Sequence, residues 1–339
     1  MTQSRAVRRN VYLDLFKLFL CYLVIAIHLA HETYWHFPLY RLAVPMFFLI
    51  SGYFNYSADR ERLLHGAHVF LKRTVHYMLI GFSVYIVFDF IGCFINGNGV
   101  GYYFTTLFYE DFLLEFFFLN RPITYTGAQL WFLIALFVVS LIHLLLVKLD
   151  RLHLYRIIIP VCFLIYFFFA GYMYLLQDTD MPIRYTRNAF FFGLPNFALG
   201  FTLAKYRLHE KTKLRFCYLL LGIACFFLQI AEYHLVKTPN CSLEMYVTGV
   251  CSAVLLLLFF LSIPHAECPL YYRWVGKNAP FYIYILHMAV AVVLSSFVSF
   301  DHLMVKCAWV WLISFVIYEI FYLLSRFKQR LQQKKPLSE

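Results

Sequence analysis

Ten apolar runs follow one another along the chain, most of them close to 20 residues, near 11–30, 43–57, 74–95, 129–147, 157–176, 189–204, 216–235, 244–263, 280–299 and 303–325. A run of that length spans the hydrocarbon of a bilayer as a helix, which satisfies its own backbone hydrogen bonds. A transmembrane barrel would instead show short alternating segments. The residues are 62% hydrophobic and 14% charged, against about half and a quarter in a soluble domain. The expected fold is therefore an all-α polytopic helical bundle of about ten spans. One transmembrane domain covers 11–325, after a cytoplasmic N-terminus (1–10) and before a basic cytoplasmic tail (326–339).

The net charge of +11 raises the question of a nucleic-acid partner. The cations lie in short clusters between apolar runs, a pattern that sets membrane orientation and touches anionic headgroups, so no nucleic acid is expected. With the N-terminus in the cytoplasm, the inner segments hold 22 of the 29 Lys and Arg residues. The outer segments hold five, Arg41, Arg121, Arg184, Arg187 and Lys237. That asymmetry supports an even number of spans with both termini inside, as in a multi-pass protein of the cell membrane, here expected to be a bacterial inner membrane.

The basic N-terminus followed by an apolar run imitates a secretory signal. The run is long, holds Asp14 and Lys17, and offers only His28-Leu29-Ala30 before a cut, so it reads as a retained first span. The nine Cys residues form no C-x-x-C pair and most sit in apolar runs, where they read as small buried side chains rather than metal ligands. Spans two and six are short and carry Pro and Gly (Pro45, Gly52; Gly193, Pro195, Gly200). They are either broken helices lining a cavity or kinked helices packed on neighbours. The stretch at 102–119 is too acidic for an ordinary span and too apolar for a free loop. It reads as an interfacial or re-entrant helix, or as a plain amphipathic surface helix.

The first span carries chemistry. At ~100° per residue, Lys17, His28 and Glu32 fall within about 60° of Asp14, and His31 lies about 100° away. Such a stripe should face the bundle interior or a water-filled cavity. Lys17 and His28 are separated by about 16 Å along the axis. Alternatively, Lys17 snorkels to the inner headgroups with Asp14 as its partner. Other ionisable groups, Asp89, Glu232, His234, Glu244, Lys306 and Glu319, are expected to pair within the bundle.

"YLDLFKLFLCYLVIAIH" resembles the opening of the acyltransferase 3 family, Leu-Asp-x-x-Arg/Lys, ten residues, then His, with Lys17 in place of the commoner Arg. "VPMFFLISGYF" (44–54), "LWFLIALFVVSLI" (130–142), "FFFGLPNFALGFTLAK" (190–205) and "YIYILHM" (282–288) resemble later family segments in the family's order, over about 10–325. Asn196 stands where some members carry Glu. Some members fuse an extracytoplasmic hydrolase-like domain at the C-terminus; this chain is expected to act without one or with a separate partner.

The resemblance implies transfer of an acyl group, most often acetyl, from cytoplasmic acyl-CoA to a hydroxyl of a cell-surface glycan, polysaccharide or glycolipid precursor. Acetyl-CoA is then a co-substrate, with no tightly bound cofactor and no metal. In that scheme Lys17, steadied by Asp14, pairs with the phosphates of CoA, and Ser51 and Gly52 also approach the donor. His28 is the general base or a transient acyl carrier, with Glu32 or His31 orienting it or the acceptor. Arg184, Arg187, Asn188, His31 and His287 are candidate acceptor-binding residues. The bilayer and the acceptor are the expected partners, and a homo-oligomer is left open. A secondary transporter and a noncatalytic component of a glycan-assembly complex are the rival readings.

Overall fold

The computed structural model describes residues 10–30, 35–95, 111–124, 126–172, 183–236, 243–264, 275 and 278–333. Among these residues there is no strand, and eight helical segments are long and apolar enough to cross a membrane. The chain forms two compact units, 1–30 with 263–339, and 31–262.

The first unit contains α1 (Val11–Leu29), α10 (Ala279–Phe297) and α11 (Leu303–Gln333). α1 starts where the Asn10 side chain accepts the Leu13 amide, with Asp14 in its first turn and His28 in its last. The Asp14 carboxylate suits the positive end of the helix dipole that it occupies. Two contacts fix α10 against α1. The Cys21 thiol donates to the Pro280 carbonyl at 3.1 Å, and the rings of His28 and His287 lie 5.4 Å apart. Each partner advances seven residues between the two contacts, so α1 and α10 run parallel. α11 runs the other way, because Tyr22 meets Met304 while the Trp311 indole donates to the Leu18 carbonyl at 3.0 Å. Two parallel spans need an odd number of crossings between them.

The second unit contains α2 (Phe37–Tyr40), α3 (Ala43–Phe54), α4 (Arg60–Ile95), α5 (Trp131–Lys148), α6 (Tyr155–Phe167), α7 (Leu194–Tyr206), α8 (Arg215–Val236) and α9 (Val247–Ser262). Counting α2 and α3 as one, five of the eight candidate spans lie in this unit, which is odd. α7 and α9 are the short members, of 13 and 16 residues. The second span is broken at Arg41 and Leu42, and the sixth opens with a π-helical turn, Ala189–Gly193. The second irregularity falls in the run where one was expected, whereas the first lies ahead of 43–57, and Ala43–Phe54 itself is unbroken despite Pro45 and Gly52. Phe112–Leu119 is helical too, a short turn running into a π segment, with Leu113 and Phe118 exposed as an interfacial helix requires.

One boundary differs from the expectation. α4 begins at Arg60, 36 residues long, rather than near 74. Its polar first half hides an apolar stripe, Leu63, Ala67, Phe70 and Thr74, all buried and spaced at helical intervals. A hydropathy run misses an amphipathic helix of this kind.

Two glycines set the core of this unit. A Cβ on Gly52 would lie 1.9 Å from the Phe197 carbonyl oxygen, and one on Gly200 would lie 2.0 Å from that of Leu49. α3 and α7 therefore cross with their backbones in contact, as small residues allow between membrane helices. The Ser51 hydroxyl donates back to the Phe47 carbonyl at 2.8 Å. Glu232 on α8 accepts the Val247 and Thr248 amides at 2.7 and 2.8 Å and so caps α9, while Asp89 accepts from Thr126. These two carboxylates are thus matched internally, as hydrocarbon demands.

Replacing Gly200 by Ala forces α3 and α7 apart. The expected loss is about 1–3 kcal/mol or more, measurable as a lower thermal unfolding midpoint of the detergent-purified protein. An unchanged midpoint would refute the backbone contact.

Candidate functional site

Polar residues gather in two places, one in each unit. In the first unit the stripe on α1 faces α10. Lys17 Nζ lies 3.3 Å from Asp14 Oδ1, with 23% and 14% of the side chains exposed. This is the i, i+3 pair anticipated from the sequence. Cys21 sits on the same face and is sealed against Pro280. The expected open passage along this face is therefore interrupted midway, because a small thiol lets α10 approach closely. Beyond it, the partly exposed His28 meets His287.

His287 is fully buried, and its Nδ1 donates to the Tyr284 carbonyl at 2.6 Å. A carbonyl only accepts, so the proton belongs on Nδ1, and in the neutral ring Nε2 carries a lone pair. Nε2 has no hydrogen-bond partner among the described residues. A buried acceptor in that state is costly unless something else uses it. The arrangement resembles an oriented base pair: one imidazole held by the backbone, its other nitrogen available, and a second imidazole beside it. Glu32 and His31 lie outside the described residues.

In the second unit, Glu244 bridges two guanidiniums. It pairs with Arg41 and lies 3.2 Å from Arg187, with Arg41 and Glu244 only 5% and 8% exposed. The break between α2 and α3 thus places Arg41 on a buried carboxylate. Arg187 lies 5.3 Å over the Trp131 ring. Asn188 is committed to structure. Its Oδ1 accepts the Phe190 and Phe191 amides, and its Nδ2 donates to the Tyr185 carbonyl. Gly52 and Ser51 are likewise accounted for by the α3–α7 crossing and the bond to Phe47.

Sequence reading missed the residues that join Arg184 and Arg187. A cavity of about 400 Å³ is lined by Arg184, Arg187, Glu115, Asn120, Arg121 and Trp131, among others. Asn120 adopts a left-handed backbone (φ 56°), and its Oδ1 accepts the Ala189 amide at 2.6 Å, tying the 111–124 segment to the start of the sixth span. The Asn-Arg-Pro triplet at 120–122 was the available signal, since Asn tolerates that backbone.

The described residues form a polytopic helical membrane protein with a buried polar site in one unit and an oriented histidine pair in the other. The chain belongs to the acyltransferase 3 family, whose acyltransferase domain it matches over residues 10–325. No curated protein and no solved structure matches it. The match spans both units, and with it the class of reaction is acyl transfer.

Exchanging Glu244 for Gln removes the carboxylate that compensates the buried Arg41. Breaking such a pair costs about 3–5 kcal/mol. Chemical denaturation in micelles should show it; a loss below about 1 kcal/mol, the range of exposed pairs, would mean that Arg41 is not sealed as described.

Proposed function

We propose that the protein transfers an acetyl group from cytoplasmic acetyl-CoA to a hydroxyl of a cell-surface glycan, polysaccharide or glycolipid precursor. It acts as a multi-pass protein of the cell membrane with both termini in the cytoplasm. The observation that carries this reading is the His28–His287 pair, with His287 held by Tyr284 and its Nε2 available.

His28 is the general base. It removes the acceptor hydroxyl proton as the oxygen attacks the thioester carbonyl, and returns that proton to the departing CoA thiolate. An imidazole does this near neutral pH without leaving its working range. His287 is a positioning residue. Its ring lies 5.4 Å from a neighbour that becomes an imidazolium, and an acceptor set beside a developing cation stabilises it. Lys17 pairs with a phosphate of CoA as a point charge, a task that needs no planar fork, and Asp14 limits its rotamers. Because Cys21 closes the face between Lys17 and His28, the pantetheine arm takes a path off that face. Family membership favours this reading over a carrier, and a scaffold gives no reason for an oriented imidazole in hydrocarbon.

Membranes supplied with labelled acetyl-CoA, followed by mass spectrometry of surface glycans, test the reaction. His28→Ala is expected to lower kcat by about 10²–10⁴-fold while acetyl-CoA binding persists. Lys17→Ala is expected to raise KM for acetyl-CoA roughly tenfold. Wild-type turnover in His28→Ala removes it as the base.

A further inference from the structure

The outer side of the sequence carries five Lys and Arg residues against 22 inside. Lys237 lies outside the described residues. The other four converge in the second unit: Arg121, Arg184 and Arg187 line the 400 Å³ cavity, and Arg41 shares Glu244 with Arg187. Cations kept where membrane topology disfavours them, and gathered from three separate loops, need a reason beyond orientation.

Three of them are paired with carboxylates among the described residues. Glu115 pairs with Arg121 at 2.7 Å. Glu244 serves both Arg41 and Arg187, so one carboxylate answers two guanidiniums. Arg184 has no carboxylate partner among the described residues. It rests on its neighbour Tyr185, 3.3 Å from the hydroxyl and 5.0 Å over the ring. Arg187 is held by Glu244 on one side and by the Trp131 face on the other, which limits its rotamers before any ligand arrives. Among the described residues the cavity is thus lined by three guanidiniums and one carboxylate, with Arg187 pre-placed and Arg184 held by no carboxylate. Its volume falls in the range that accepts a small polar ligand. Guanidiniums select planar or tetrahedral oxyanions by paired hydrogen bonds.

We propose that this cavity binds a carboxylate or phosphate carried by the acceptor, so that the protein acts on an anionic sugar unit rather than a neutral one. The word acceptor rests on the acyl-transfer reading, whereas binding of an anionic sugar does not. The oxyanion engages Arg184 and Arg187, and Glu115 holds Arg121 at the rim.

The test uses the full chain in phosphatidylcholine nanodiscs, without acetyl-CoA, so that binding is read apart from turnover. Glucuronic acid, glucose 1-phosphate and methyl glucoside are titrated, with the thermal unfolding midpoint as readout. The two charged sugars are expected to raise the midpoint and methyl glucoside to leave it unchanged. Their separate titrations distinguish carboxylate from phosphate. Arg184→Gln, at an exposed position, is expected to keep the ligand-free midpoint and weaken charged-sugar binding by about tenfold or more. Arg184→Lys should recover part of it. Equal shifts from methyl glucoside, no shift from either charged sugar, or no effect of Arg184→Gln on binding would overturn the proposal. So would a midpoint that responds to Arg184→Gln only in phosphatidylglycerol nanodiscs, which would assign the cavity to a lipid headgroup. Charged-sugar binding without acetyl transfer would leave this proposal standing and defeat the transferase reading instead.

Discussion

The register of α10 on α1 is the constraint on which the proposed chemistry depends. A thiol on Pro280 and an indole on Leu18 hold the first span between the last two. That register, and no local preference of either helix, sets His287 opposite His28. A slip of one residue would turn each side chain by ~100° about its axis and separate the rings. The two helices are parallel, so both histidines lie toward the same ends of their spans, the outer ends in the orientation that the cations favour.

The surrounding structure follows from a second constraint, the absence of water in hydrocarbon. Glu232 caps a helix, Asp89 holds a loop amide and Glu244 compensates two guanidiniums. Ser51 and Asn188 donate to carbonyls of their own segment. These polar groups carry the fold. The His287 Nε2 is one of several buried polar atoms that no described residue answers, the His143 Nε2 and the Asn196 Oδ1 among them. What sets it apart is the second imidazole, that of His28, whose ring lies 5.4 Å away.

Much of the helical architecture was legible from hydropathy, because membrane crossing imposes length. The irregular start of span six falls beside Gly193 and Pro195, whereas the break in span two lies at Arg41 and Leu42, ahead of the run that carries Pro45 and Gly52. The start of α4 was hidden, since its stripe of Leu63, Ala67, Phe70 and Thr74 is too dilute to register as an apolar run. Within the site, Asp14 and Lys17 were readable as an i, i+3 pair because helical geometry alone joins them. The His28–His287 contact, the bridge from Arg41 to Glu244 and the gathering of Arg121 with Arg184 were not. Each depends on tertiary packing between distant segments, which spacing along a helix cannot encode. The same limit explains why Asn188 and Gly52 looked like ligand contacts. A helix cap and a backbone crossing call for the residue types that a binding site also favours.

A double-mutant cycle on turnover tests the central claim, that His28 and His287 act as one unit. Acetyl transfer would be measured for His28→Ala, His287→Ala and the double variant, each checked for an unchanged unfolding midpoint. If the imidazoles work together, the double variant is no slower than His28→Ala alone, because His287 has nothing left to position. Losses that multiply would show that the two histidines act independently and would contradict the account.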